Sequence, residues 1–177
     1  MLYIHGMGHF HPENVITNRF IADLDIGSSE EWIQERVGIH ARRTALSLDY
    51  IRETKNRDPR AAAEASQYTN ARTGAMAAEM ALNRAGLTPG DIGLVLSGSS
   101  APDHLTPAEA ATVAGEMGIE APSLDLNSAC STFAMQAAWL SWMQRKKLPP
   151  FILLVQPENL TRSVDYSDRR VAPLFGD

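Results

Sequence analysis

The chain has 177 residues, of which 44% are apolar, 7% aromatic and 21% charged, and its net charge is −5. This is globular composition, and the acidic balance disfavours a general nucleic-acid binder. The single cysteine excludes a disulfide framework and points to a reducing, cytoplasmic setting, and no apolar run approaches the roughly 20 residues of a membrane span. The opening Met1-Leu2-Tyr3-Ile4-His5-Gly6 has neither a basic start nor a long apolar run, so it does not read as a signal peptide.

In chain order, Tyr3 to Gly8 reads as a short strand ending in glycines. Thr17 can cap a short helix through Ala22, and Ser28 or Ser29 precedes Glu30-Glu31-Trp32-Ile33, a helix start with acids in its first turn. Gly38 ends that helix. Residues 44–60 are polar and weakly periodic, and read as an excursion. Within and beside them Arg42, Arg43, Arg52, Lys55, Arg57 and Arg60 form a basic run. Such a run is either a solvated face or a docking face for an acidic partner or a phosphate. Ala61 to Ala85 is rich in strong helix formers and stops at Gly86.

Ile92 to Ser97 is a short apolar strand, Pro107 opens a helix that runs to about Met117, and Leu124 to Leu126 is another strand. Ala129 to Lys147 is predicted as a helix that is apolar almost all round and therefore buried. Phe151 to Val155 is a strand, and Val171 to Phe175 starts a further one. Strands alternating with helices imply an α/β fold with a mainly parallel sheet.

Cys130 is the first candidate for chemistry. It follows a predicted strand and opens a helix, where the N-terminal end favours thiolate over thiol and a strand–turn–helix corner exposes a nucleophile. The competing reading is a small buried hydrophobe. Trp32 is either a stacking surface for a purine or an ordinary core residue. His9 and His11 lack a third ligand at metal-site spacing, so no metal is expected. Gly6-x-Gly8 is not a full dinucleotide fingerprint, because no third glycine opens a helix.

Four stretches carry a resemblance that spans nearly the whole chain: Ile4-His5-Gly6-Met7-Gly8 with Pro12 to Asn18; Ser28-Ser29-Glu30-Glu31-Trp32-Ile33 with Arg36-Val37-Gly38-Ile39; Asn127-Ser128-Ala129-Cys130; and Asp165-Tyr166-Ser167-Asp168-Arg169 with Leu174-Phe175-Gly176-Asp177. Together they resemble the N-terminal half of β-ketoacyl-acyl carrier protein synthase III, a condensing enzyme of the thiolase fold. The resemblance implies an α/β, thiolase-like N-terminal half over residues 1–177, with a mixed, mainly parallel sheet and a buried central helix. It implies decarboxylative Claisen condensation of an acyl-CoA primer with malonyl-acyl carrier protein, through an acyl group on Cys130.

In that frame Trp32 and Arg162 would sandwich the adenine of coenzyme A, and Ser28 and Arg36 would line the same channel. Thr106 would gate the acyl pocket from the neighbouring protomer of a homodimer, its small side chain favouring medium or long primers. No tightly bound cofactor is implied; coenzyme A enters with the substrate. Ser131-Thr132 departs from the small residues usual after the nucleophile, which could narrow the pocket or add a hydroxyl beside the thiolate. The stretch around 45–65 is longer than the usual connection and suggests a subfamily with an insertion. The catalytic His and Asn of the resembling family lie in a second, C-terminal half, and no histidine here matches them. Two alternatives stand beside this one: a starter synthase or acyltransferase of secondary metabolism, and a non-catalytic partner subunit, against which the retained Cys130 argues.

Overall fold

The structure, a computed structural model, describes residues 2–177. The chain divides into two compact units, residues 1–10 with 70–158 and residues 11–69 with 159–177.

The second of these contains β1 (Asn14–Thr17), α1 (Asn18–Ala22), α2 (Glu30–Arg36), β2 (Ala41–Thr44), α3 (Leu48–Thr54) and α4 (Pro59–Ala65). β1 and β2 form an antiparallel pair with Ile16 opposite Arg42, which the sequence patterning did not suggest. Each helix has its own start signal. Thr17 Oγ1 accepts from Phe20 N at 3.0 Å and Ser29 Oγ from Trp32 N at 3.1 Å, which decides for Ser29 over Ser28 as the cap. Ser47 Oγ accepts from Tyr50 N at 3.1 Å, and Asp58 Oδ1 takes Arg60 N at 2.9 Å ahead of α4. The stretch read as an excursion is therefore two capped helices. They are short, so their apolar period is brief, yet Leu46, Ile51 and Ala62 lie fully inside the core with Ile16, Ile33 and Tyr166.

The basic run is not one face. Arg42 is buried and donates through Nε to Pro173 O at 2.9 Å and through Nη1 to Asn18 Oδ1 at 2.5 Å. Arg43 donates to Glu13 O, Lys55 to Leu24 O, and Arg52 pairs with Asp49 while lying over the Phe20 ring. Arg57 and Arg60 are exposed, and Arg57 lies near enough to Asp165 to favour its charged form. The expected strand at Val171 to Phe175 is a series of turns instead. Its backbone has no ladder partner, and Asp177 folds back to accept from Thr161 N at 2.8 Å and Ala45 N at 2.7 Å.

The first unit contains α5 (Asn70–Ala85), β3 (Ile92–Ser97), α6 (Glu109–Met117), β4 (Ser123–Asp125), α7 (Thr132–Trp142) and β5 (Phe151–Val155). Its sheet is parallel, with strand order β4-β3-β5. Small residues let α5 and α6 lie close together: a Cβ on Gly74 would come within 3.0 Å of Val113. Ala75, Ala78, Val95, Val113, Leu153 and Val155 form the core beneath them. The predicted single helix from Ala61 to Ala85 is broken, because Ser66 is extended and its Oγ donates to Tyr68 O at 2.8 Å.

Two further expectations are corrected. Tyr3 to Gly8 forms no strand. It lies along α5 so closely that a Cβ on Gly8 would stand 2.0 Å from Ala77 O, but no ladder partner is present and Tyr3 and Ile4 remain exposed. The helix predicted from Ala129 to Lys147 is α7 flanked by tight turns at each end, and it is not buried all round. Gln136 and Leu140 face inward, whereas Phe133 is 51% and Trp142 70% exposed. An all-apolar helix can bury only as much surface as its neighbours cover, and in this chain one side has no cover.

Ile51→Ala should lower stability by about 2–5 kcal/mol, as for other buried large-to-small changes, whereas Arg57→Ala should leave it nearly unchanged. Urea denaturation of both variants measures this; a small loss for Ile51→Ala would show that residues 48–65 lie outside the core.

Candidate active site

Cys130 is carried by a turn rather than by a helix proper. β4 ends at Asp125, a tight turn covers Ala129–Ser131, and α7 begins at Thr132. The thiol is free and exposed, which removes the buried-hydrophobe reading. Ala129, immediately before it, has φ +47°. A side chain in this left-handed region costs about 1–2 kcal/mol, so the surroundings must hold it. They do so with side chains: Asn127 Oδ1 accepts from Ala129 N at 3.0 Å, and Thr132 Oγ1 lies 2.7 Å from Ala129 O and accepts from Ser128 N at 2.9 Å.

Thr132 therefore has a structural use. It is buried, its hydroxyl turned into the bend and its methyl group against Gly98, where a Cβ would come within 2.6 Å of it. Ser131 Oγ likewise bonds back, to Ser128 O at 2.8 Å.

A group of acids, Asp103, Glu109 and Asp125, lies in the same unit. Asp125 accepts from Glu109 N and Ala110 N, both at 2.8 Å, and so caps α6. Asp103 caps α5, accepting from Asn70 N at 2.7 Å. Glu109, 3% exposed, accepts from Asn70 Nδ2 at 3.0 Å and Asp103 N at 3.2 Å. Burial pushes the Glu109 carboxyl above its ordinary range, and the negative charges of Asp103 and Asp125 add to the rise. The sequence reading missed this group; Glu109 standing in an otherwise apolar helix start was its signal.

Thr106 is exposed at the tip of the loop before α6, beside Leu105, which is 99% exposed.

The other expected site residues belong to the second unit. Trp32 is half-buried on α2, with a guanidinium 4.3 Å above its ring. That guanidinium is Arg169's and not Arg162's. Arg162 is buried, and its Nε donates to Asn159 O at 3.3 Å while its carbonyl accepts from Asn56 at 3.0 Å. Arg169, from the Asp165-Tyr166-Ser167-Asp168-Arg169 segment, is therefore the arginine that covers the Trp32 ring in this structure. Arg169 also reaches toward Gly27, and the neighbouring Ser28 Oγ is buried with no hydrogen-bond partner among the described residues. Arg36 is exposed at the end of α2.

Comparison with known proteins bears directly on the Cys130 turn. The family model of 3-oxoacyl-[acyl-carrier-protein] synthase III matches residues 124–177, from β4 through the turn to Asp177. Over nearly the whole chain the β-ketoacyl-[acyl-carrier-protein] synthase III of Rhizobium meliloti is 33% identical, with 98% of this chain and 48% of that protein covered. The synthase III 4 of Streptomyces coelicolor is 33% identical over 98% of this chain and 49% of its own length. The chain is a relative of the β-ketoacyl-[acyl-carrier-protein] synthase III proteins.

It spans about half the length of the relatives it matches, consistent with an N-terminal half of a synthase III. The fold agrees. The synthase III of Aquifex aeolicus superposes with a TM-score of 0.81 at 27% identity, over 98% of this chain and 50% of that one. The priming β-ketosynthase of the R1128 polyketide pathway superposes at 0.80 and 28% identity, over 98% and 46%. The architecture is accordingly the thiolase-like α/β arrangement of the synthase III proteins, with a parallel sheet. Among the described residues no helix is long and apolar enough to cross a membrane.

Glu109 gives a pH prediction. A carboxyl raised in the folded state binds its proton more tightly there than in the unfolded chain. Its contribution is present below its ordinary value near 4.5 and is lost as pH rises through the folded value. Stability of wild type and Glu109→Gln measured from pH 4 to pH 8 should therefore diverge, the wild type losing more stability over that rise. Parallel curves would show that Glu109 is not held in the raised state.

Proposed function

We propose that this chain supplies the acyl-accepting half of a decarboxylative condensing enzyme, with Cys130 as the nucleophile. One observation carries the reading: an exposed thiol on a strained turn between a parallel strand and a helix, inside the segment that the family model matches. The Cys130 sulfur attacks the thioester carbonyl of acyl-CoA, and coenzyme A leaves as its thiol. Malonyl-acyl carrier protein then loses carbon dioxide. Its α-carbon attacks the acyl-cysteine carbonyl, and the Cys130 thiolate is released. Holding both reactants in one pocket makes the second step effectively unimolecular.

The base and oxyanion groups for decarboxylation, a His and an Asn, are assigned to a C-terminal half. The bare face of α7, with Phe133 and Trp142 exposed, is apolar surface that such a half would bury. The partners are acyl-CoA, acyl carrier protein and a second protomer, and no cofactor is tightly held. Thr106 is the gate presented to the neighbouring protomer, where its small side chain leaves a longer channel.

The likeness to a priming ketosynthase of a polyketide pathway favours a second reading of the same chemistry, in which the product starts a polyketide rather than a fatty acid. Both readings share the acyl-cysteine.

Coenzyme A would be held at its adenine by Trp32 and Arg169, with Ser28 and Arg36 beside them. At 4.3 Å the guanidinium occupies the indole face, so adenine would enter by displacing it. The two π-compatible faces are chemically suited to a purine.

Incubation of the full assembly with acyl-CoA should add one acyl mass to the chain, at Cys130, and Cys130→Ser should abolish it. Each added methylene of primer should contribute roughly 0.8 kcal/mol while the channel stays open, so octanoyl-CoA should acylate better than acetyl-CoA, with Thr106→Phe reversing the order. No adduct with the full assembly would reject the nucleophile, and an acetyl preference in the wild type would reject the gate.

Trp32→Ala and Arg169→Ala should each weaken acyl-CoA binding by about 0.5–2 kcal/mol. Acylation by short thioesters lacking adenosine should be spared. Arg162→Ala should instead lower the urea midpoint. Equal losses with both donor types for Trp32→Ala and Arg169→Ala would assign these residues to the fold.

A further inference from the structure

The turn that presents Cys130 is tied to a buried polar relay that begins far from it in sequence. Asn127 has two ends. Its Oδ1 holds Ala129 N, and its Nδ2 donates to Ser99 O at 2.9 Å. Ser99, 6% exposed, is held in turn: its Oγ accepts from Asn70 Nδ2 at 3.2 Å and from Ala101 N at 3.1 Å. Asn70 has no exposed surface, and the same amide donates to Ala101 O at 2.9 Å and Glu109 Oε2 at 3.0 Å. Glu109 closes the path, because its own N–H is bound by Asp125 on the strand that feeds the turn. Each member is fixed by the next, and all lie in one unit.

We propose that Asn70 and Glu109 are positioning residues for Cys130, acting through Ser99 and Asn127 to hold Ala129 in its left-handed conformation and the thiol at the mouth of α7. This rests on Cys130 being the reacting thiol. A buried amide and carboxyl whose hydrogen bonds face one another are the means: the amide is a donor in only one plane, so it fixes the Ser99 loop in one orientation. That orientation is what aims the Ser99 carbonyl at Asn127. Without it Asn127 can rotate, Ala129 can relax toward ordinary backbone, and the thiol leaves its place at the start of α7.

The experiment uses the full chain and its single cysteine, so alkylation reports one site. The rate of Cys130 alkylation by iodoacetamide is followed against pH, alongside the urea midpoint. Asn127→Ala and Asn70→Ala should both slow alkylation near neutral pH by about threefold or more. Val113→Ala, a core change in the same unit, should lower the urea midpoint and leave the profile in place. Asn70→Asp sets two carboxyl groups against each other and should reproduce the Asn70→Ala defect. Asn70→Asp, which keeps the side-chain volume, carries the test if Asn70→Ala does not fold.

A wild-type profile in Asn70→Ala or Asn70→Asp, or an equal slowing in Val113→Ala, would overturn the relay. Alkylation needs no acyl donor. A relay confirmed in a protein that acyl-CoA never acylates would overturn the proposed function alone.

Discussion

A single alanine held in the left-handed region is the constraint on which the reactive part of this chain depends. Ala129 places Cys130 between the end of β4 and the start of α7, and an ordinary backbone there would carry the thiol elsewhere. The cost is met by directed hydrogen bonds rather than by glycine. Asn127 takes the alanine N–H and Thr132 its carbonyl, so the conformation is set by neighbours and not by the freedom of the residue itself. Gly98 supplies what no side chain could, room for Thr132 to approach the end of β3.

Acids bound to backbone N–H groups help organise both units. Asp125 and Asp103 bind the first amides of α6 and α5. Asp177 binds Thr161 and Ala45, and burial raises its carboxyl as it does that of Glu109. The visible ion pairs, such as Arg19–Asp23 and Arg72–Glu116, are largely exposed and add little. An acid bound to several N–H donors fixes loops at defined positions, and this suits a protein whose candidate reactive groups sit on loops and turns.

The apolar surface is unevenly used. The face of the sheet under α5 and α6 is packed with small and branched residues. The outer side of α7 and the residues Tyr3, Ile4 and Met7 are left bare. A chain spanning about half of its relatives has on these surfaces the apolar area that a larger assembly would remove from water.

Much was legible in the sequence where one local cause dominates. Thr17 and Ser29 cap helices because a short hydroxyl just before a helix accepts from a first-turn N–H. Ile92 to Ser97 and Phe151 to Val155 are strands because short apolar runs between breakers have few other uses. Cys130 was legible as the candidate nucleophile from the strand before it and the helix after it. Tertiary structure alone decided the rest. Tyr3 to Gly8 has strand-like sequence but no ladder partner, and a strand is a property of two segments. Residues 48–65 are helical because Ile51 and Ala62 found a core, which their weak period could not announce. Between two arginines on neighbouring turns, packing chose: Arg162 is turned inward onto backbone and Arg169 outward over Trp32. The relay from Glu109 to Asn127 joins residues distant in the chain, and only the fold brings such donors and acceptors within bonding distance.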